Sequence, residues 1–111
     1  WCHVDQMPTA HIALDDNEPV GICALQKNDG IRPDLWPWLS DLSIKKNYQR
    51  QKIGERLIEI TKKKARQFGF VKLYLFAFDP TLPNYYERLG WRVIGFDSHR
   101  NLPVTVMAID L

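Results

Sequence analysis

The sequence predicts an α/β domain in which helices pack on a mixed sheet. Two patterns lead to this fold class. Short runs of alternating or continuous apolar residues recur along the chain, as strands require, whereas residues 51–68 repeat their apolar side chains every three or four positions, as a helix does. The composition agrees, because 45% hydrophobic and 25% charged residues in a chain of 111 are typical of one globular domain.

The first half of the chain predicts three strands. Apolar runs at residues 11–14 and 20–25 are separated by turn-forming residues 15–19, a pattern that favours a β-hairpin. Residues 31–37 contain two prolines and are predicted to form a loop. Residues 38–44 alternate large apolar with small or polar residues, so we expect a strand with one buried face.

The helix predicted at residues 51–68 has one apolar face and ends at Gly69, a residue suited to the left-handed position after a helix. Its apolar face consists of Ile53, Leu57, Thr61, Ala65 and Phe68. The continuous apolar run at residues 71–78 predicts a strand covered on both faces. After it we expect a short helix at 84–89, strands at 91–96 and 104–110, and a polar loop at 97–101, which gives the order β-β-β-α-β-α-β-β.

Charge is divided unevenly along the chain. The net charge is only +2, which argues against a dedicated nucleic-acid or membrane-surface protein. Residues 45–66, however, hold nine basic and two acidic side chains and carry +7, so the remainder carries −5. Such a separation predicts that an anion is bound in one place.

Several classes of protein are disfavoured by the sequence. Cys2 and Cys23, without a secretory signal, are expected to be reduced thiols of a cytoplasmic protein. No apolar stretch reaches the ~18 residues that cross a bilayer. No Cys and His spacing matches a metal site, so no metal is expected.

The junction between strand 38–44 and the long helix is the most informative stretch. Free backbone N–H groups at a helix start attract phosphate, Gly54 lets an anion approach the backbone, and Arg50 and Lys52 add positive charge. The alternative for such a junction taken alone is an ordinary solvated helix start.

Two motifs in this order resemble those of the GCN5-related N-acetyltransferase family. The cofactor signature R/Q-x-x-G-x-G/A is matched at Gln49, Ile53 and Gly54, while Lys52 stands where the family usually has its first glycine. The second motif is Y-Y-E-R-L-G-W at residues 85–91, and the resemblance runs over residues 11–111. It implies a mixed, mostly antiparallel central sheet flanked by helices. The strand and helices that usually begin such a domain are not expected here, because residues 1–10 are too few.

The resemblance implies transfer of an acetyl group from acetyl-CoA to an amine. The backbone of Leu42, Ser43 and Ile44 would hold the pantetheine arm and the oxyanion. The remaining cofactor-binding residues would be Gln49, Arg50, Gln51, Lys52, Ile53, Gly54 and Glu55. By position, Tyr86 would donate a proton to the departing thiolate, whereas Tyr85 would pack in the core.

The base and the acceptor site are less well defined by the sequence. Asp41 is the first candidate base, since it is the one acidic residue of its strand, and an outward-facing carboxylate is the alternative. A position where the family often has an acid holds Phe76; His11 and His99 are lower-ranked bases. Asp34, also a lower-ranked base, and Trp36 are predicted to receive the cationic amine; the alternative is that Trp38 lies in the core and Trp36 packs on the loop.

Further expectations concern the function and the assembly of the chain. Lys52 and the lack of an obvious base favour one alternative, a CoA-binding regulatory module with little catalysis. A second alternative, nucleic-acid binding by the basic helix, is the weaker, and no membrane partner is expected. The chain is expected to be one domain over residues 1–111, shortened at its N-terminus or completed by a partner, and its open strand edges favour a homodimer.

Overall fold

The computed structural model describes residues 9–27, 34–49 and 51–111. These residues form the predicted order β-β-β-α-β-α-β-β, with one additional 3₁₀ turn at Lys46–Tyr48. The elements are β1 Thr9–Asp15, β2 Glu18–Gln26, β3 Trp38–Ile44, α1 Ile53–Gln67, β4 Lys72–Ala77, α2 Leu82–Arg88, β5 Arg92–His99 and β6 Leu102–Asp110. Among the described helices, none is long and apolar enough to span a membrane.

The strands form a single six-stranded sheet in the order β1-β2-β3-β4-β6-β5. Every neighbouring pair is antiparallel except β3 with β4, which is parallel. A mixed and mostly antiparallel sheet was predicted, and this prediction is confirmed.

Both hairpins turn on two residues with positive φ. Asp16 and Asn17 (φ 49° and 70°) join β1 to β2, and Arg100 and Asn101 (φ 53° and 66°) join β5 to β6. Such paired left-handed residues match the twist of the strands they connect. The predicted loop at residues 97–101 is therefore correct only at the turn residues Arg100 and Asn101, and it is wrong at 97–99, because β5 continues to His99 as an edge strand whose polar side chains resemble those of a loop.

Both helices begin at positions that differ from the prediction. Lys52 has a left-handed backbone, with φ 64° and ψ 17°, so α1 starts at Ile53 rather than at residue 51. Helix α2 starts two residues earlier than predicted, at Leu82, and Pro83 lies in its first turn. Proline is tolerated there because the first N–H groups of a helix have no internal partner.

The two helices pack on the same face of the sheet. Leu57 and Ile58 of α1 and Tyr86 of α2 share a buried cluster with Leu75 of β4 and Met107 of β6. Each such buried apolar side chain stabilises the fold by about 1.5–3 kcal/mol. The alternate side chains of the same strands point to the opposite face, where Trp38, Val104 and Val106 form a second, smaller cluster.

The parallel strands β3 and β4 pair only where they begin. Trp38 lies opposite Tyr74, and the N–H of Tyr74 donates to the carbonyl of Pro37 over 3.1 Å. Further along β3 there is a bulge at Asp41 (φ 56°). From Ser40 to Ser43, β3 advances by three residues, while the paired segment of β2 advances by two. A bulge bends its strand, so β3 diverges from β4 and a cleft opens between their C-terminal ends.

Candidate active site

The opening between β3 and β4, here called the strand cleft, is a cavity of about 650 Å³. Ser40, Asp41 and Leu42 line it from β3, and Phe76 lines it from β4. Side chains that follow β4, together with Tyr86 of α2 and residues of the β5–β6 hairpin, complete its walls. The predicted base Asp41 and the predicted acid Tyr86 thus lie in one cavity.

A second cavity, here called the helix cavity, has a volume of about 450 Å³ and lies at the N-terminus of α1. Seven residues predicted to bind the cofactor line it: Leu42, Ile44, Gln49, Lys52, Ile53, Gly54 and Glu55. Three side chains line both cavities, namely Leu42, Leu82 and Tyr86. The helix cavity and the strand cleft therefore meet at Tyr86.

Two of the described residues predicted to bind the cofactor, Ser43 and Gln51, do not line the helix cavity. Ser43 lies on a shallow groove of the opposite sheet face. Gln51 lies in a cavity between β1 and α1. Arg50 lies outside the described residues.

The open edge of β3 presents the backbone of Leu42 and Ile44. The N–H of Lys45 donates to Val20 on β2 over 2.9 Å, and backbone groups alternate in direction along a strand. Ser43 therefore also turns its N–H toward β2, whereas the N–H groups of Leu42 and Ile44 face the side from which β4 has diverged. Two of the three predicted backbone positions are thus directed toward the site.

Helix α1 begins with unsatisfied donors. Its first helical hydrogen bond runs from the N–H of Arg56 to the carbonyl of Lys52, over 3.1 Å, and no described side chain caps the helix. The N–H groups of Ile53, Gly54 and Glu55 therefore lie in the first turn without a helical acceptor. Backbone donors beside Lys52, at the positive end of a helix, suit a pyrophosphate.

Gly54 fits a role in admitting that anion. A Cβ placed there would lie 3.7 Å from the hydroxyl of Tyr85 and 3.8 Å from Ile44, which is ordinary contact. The protein itself therefore does not require glycine at this position, although glycine within a helix costs about 0.5–1 kcal/mol relative to alanine. The added carbon would instead occupy the helix cavity, whose wall both neighbours form.

Tyr86 is only 7% exposed, and burial raises the pKa of its phenol to about 12, with smaller contributions from Tyr85 and Cys23. The phenol is therefore protonated at neutral pH and able to donate a proton. Tyr85 packs against the core as predicted but is less buried than Tyr86, and it lines only the helix cavity. The two rings meet edge to face, with centroids 5.2 Å apart.

The candidate bases occupy different places. Asp41 is exposed at the strand cleft and accepts a hydrogen bond from the side chain of Gln26 over 3.2 Å. His99 also lines the cleft, with its ring 5.2 Å from that of Phe76. His11 lies instead between β1 and α1, where burial and Lys64 lower its pKa.

The structure does not bring Asp34 and Trp36 to the strand cleft. Trp36 contacts Phe70 edge to face with centroids 5.2 Å apart, and Lys27 lies over its ring. Trp36 and Phe70 precede β3 and β4, so both lie where the parallel strands begin, whereas the cleft opens where they end. Trp36 precedes β3, whereas Asp41 is the fourth residue of that strand, so Trp36 lies at the paired end and Asp41 lies where β3 begins to diverge from β4.

Part of the positive charge of residues 45–66 is balanced locally. Lys45 pairs with Glu18 over 2.7 Å, and Lys62 pairs with Glu59 over 3.1 Å, both at the surface. Within the described ranges, no group of three or more His, Cys, Asp or Glu side chains is arranged to hold a metal ion.

The structure is similar to those of several acetyltransferases. An aminoglycoside 6'-N-acetyltransferase complexed with coenzyme A superposes with a TM-score of 0.77 at 20% identity, over 96% of this chain and 74% of that one. Aminoglycoside 6'-acetyltransferase type Ii gives 0.77 at 24% identity, over 96% and 70%. A GNAT family acetyltransferase from Elizabethkingia anophelis with acetyl-CoA bound gives 0.75 at 15% identity, over 97% and 79%.

These likenesses show the fold. A search of curated protein sequences finds no match to the chain. The acetyltransferase (GNAT) family model, in contrast, matches residues 1–91, which include β1 to β4, α1, α2 and the lining of the helix cavity. On this match and the shared fold, the chain belongs to the GNAT family of acetyltransferases.

Proposed function

We propose that this chain transfers the acetyl group of acetyl-CoA to a primary amine of a small molecule or protein by direct attack. One observation carries the proposal: Tyr86, a buried and protonated phenol, forms part of the wall between the helix cavity and the strand cleft. A donor bound in the first cavity and an acceptor bound in the second would meet at this side chain.

In this proposal acetyl-CoA occupies the helix cavity. Its pyrophosphate lies at the N–H groups of Ile53, Gly54 and Glu55, beside Lys52, and its pantetheine arm pairs with the open edge of β3 at Leu42 and Ile44. Arg50 remains part of the proposed phosphate site on the basis of its sequence position.

The proposed reaction is a single acyl transfer. The amine nitrogen forms a bond to the thioester carbonyl carbon, and a backbone N–H on the edge of β3 stabilises the oxyanion. The C–S bond then breaks, and the CoA thiolate receives the proton of Tyr86. The amine must be neutral to attack, so Asp41 takes its proton through water, and a proton released from the amine restores the phenol.

A thiol-release assay tests the proposal. Acetyl-CoA is offered with polyamines, aminoglycosides, amino acids and peptide N-termini, and CoA release that depends on one of these amines is expected. Absence of release across the panel and also with 2-phenylethylamine and n-butylamine, with acetyl-CoA binding intact by calorimetry, would contradict catalysis. That result would favour the second candidate function, a CoA-binding regulatory module. The lysine with a left-handed backbone at position 52 supports this alternative.

A further inference from the structure

Three rings form one side of the strand cleft, and we call them the aromatic wall: Phe76, Phe78 and His99. The rings of Phe76 and Phe78 meet edge to face at 5.4 Å, and His99 lies 5.2 Å from Phe76 and 5.9 Å from Phe78. All three line the cleft, and Phe78 is 47% exposed. A half-exposed ring within a cluster at a cavity is available to contact a ligand.

The polar groups of the same cavity are few. Asp41 and Asp79 supply two carboxylates and Arg100 one guanidinium, so the described lining carries a net charge of −1 with His99 neutral. Asp79 is held in place by the N–H and hydroxyl of Thr81, each 2.8 Å from one of its oxygens. The Ser40 hydroxyl also lies at this cavity, in a residue only 6% exposed, and has no hydrogen-bond partner in the described structure.

We propose that the aromatic wall binds the body of the acceptor, and that this acceptor is a primary alkylamine with one positive charge and an aromatic ring on its alkyl chain. The inference rests on the proposed function and narrows its substrate class.

Charge and shape both favour this class. A cation is attracted to the faces of aromatic rings, and a flat apolar body replaces water over Phe76 and Phe78. An aminosugar with several ammonium groups would meet only two carboxylates and one opposing guanidinium, and its hydroxyl groups would lose water against phenylalanine rings.

A substrate series measures the preference. With acetyl-CoA saturating, kcat/KM is compared for 2-phenylethylamine, n-butylamine, spermidine and kanamycin. We expect 2-phenylethylamine to exceed each of the others by about tenfold or more, as one well-filled apolar subsite allows. A preference for spermidine or kanamycin, or equal values for 2-phenylethylamine and n-butylamine, would overturn the proposal.

Variants test whether the aromatic wall causes the preference for 2-phenylethylamine. Phe78→Ala should raise KM for 2-phenylethylamine by about tenfold and leave KM for n-butylamine and acetyl-CoA unchanged. Phe96→Ala is the matched control, because Phe96 is 77% exposed on β5 and does not line the cleft. Phe78→Leu keeps an apolar side chain and serves if the alanine variant does not fold. An equal effect of the Phe78 variant on both aromatic and aliphatic amines would contradict the assignment.

A binding measurement separates this inference from the proposed function. If no amine is acetylated, catalysis is disproved, and 2-phenylethylamine is then titrated into the CoA-saturated protein and followed by NMR. Binding that is weakened about tenfold by Phe78→Ala and unchanged by Phe96→Ala supports the aromatic wall as an amine subsite. Absence of binding to the wild-type protein overturns it.

Discussion

The side-chain amide of Gln49 donates a hydrogen bond to the backbone carbonyl of Ile44 over 3.2 Å. Gln49 begins the cofactor motif, and Ile44 is the last residue of β3, so this contact ties the motif to the open strand edge. It holds together two parts of the helix cavity that lie on either side of the 3₁₀ turn.

Replacing Tyr86 with Phe should lower kcat by about 10²-fold or more, because the CoA thiolate would leave without its proton donor. Acetyl-CoA affinity, measured by calorimetry, should stay nearly unchanged, since the ring that separates the two cavities is retained. Tyr74→Phe is the matched control, because Tyr74 packs on the opposite face of the sheet. An unchanged kcat would remove Tyr86 from the chemistry.

Asp41→Asn should lower the rate by about 10²-fold and remove the fall of kcat/KM on the acidic side of its pH profile, because the carboxylate would no longer accept the proton of the amine. Acetyl-CoA binding should change little. Asp97→Asn, outside the strand cleft, provides the comparison. A wild-type pH profile in the Asp41 variant would end its assignment as the base.

Gly54→Ala should have opposite effects on stability and on cofactor binding. Alanine stabilises a helix by about 0.5–1 kcal/mol relative to glycine, and the chain has room for the added carbon. Acetyl-CoA should nevertheless bind about tenfold or more weakly, since overfilling a packed contact costs roughly 1–3 kcal/mol. Thermal unfolding and calorimetry measure the two quantities, and unimpaired binding would show that no ligand approaches this position.

Lys52→Gly should increase stability by up to about 1 kcal/mol, because a left-handed backbone is strained for lysine and not for glycine. The same substitution at Lys63, in the middle of α1, should lower stability by about 1 kcal/mol. Chemical denaturation of both variants provides the comparison. Destabilisation of equal size at the two positions would be evidence that Lys52 is unstrained in solution.

Alkaline pH should destabilise the protein through Cys23. Burial raises the pKa of this thiol from 9.0 to about 11. A hydrogen bond from Thr61 lowers the pKa, but its effect is smaller than that of burial. Between these two pH values the folded state keeps a thiol proton that the unfolded state has lost. The contribution of Cys23 to the free energy of unfolding is therefore complete below pH 9.0 and declines as the pH rises toward 11. Unfolding free energies of Cys23→Ala should fall less steeply over this range; parallel curves would refute the shift.

The sequence was sufficient to predict elements with strong periodic patterns. The bounds of β3 agree with its predicted ones because its alternation is regular, and the element order follows from the same kind of signal. The helices start at Ile53 and Leu82 rather than at the predicted residues. The left-handed backbone of Lys52 and the tolerance of a first helical turn for Pro83 determine these starts, and neither feature changes the apolar pattern. The edge strand was predicted to end at residue 96 rather than at His99, because the side chains of its last three residues are polar.

Site residues were predictable where a motif fixes them and not where the sheet brings distant segments together. Gly54 and Tyr86 lie in motifs, and the structure places both at the helix cavity. Phe78 and His99 had no motif, and only the sheet order β4-β6-β5 brings the end of β4 near the β5–β6 hairpin. Trp36 was predicted as an acceptor residue because it lies with a carboxylate in the loop that enters the central strand, but this loop is at the paired end of β3 and β4 and the cleft opens at the other end.

Strands β3 and β4 share one register pair, Trp38 with Tyr74. The hydrogen bonding of the sheet is therefore divided into two halves, β1-β2-β3 and β4-β6-β5. Within each half the strands are joined by long antiparallel ladders, whereas between the halves the sheet has little hydrogen bonding to resist rocking. Amide protons on the free edge of β3 should consequently exchange with solvent faster than those inside either half. A molecule hydrogen-bonded to that edge would protect the N–H groups of Leu42 and Ile44 and slow their exchange.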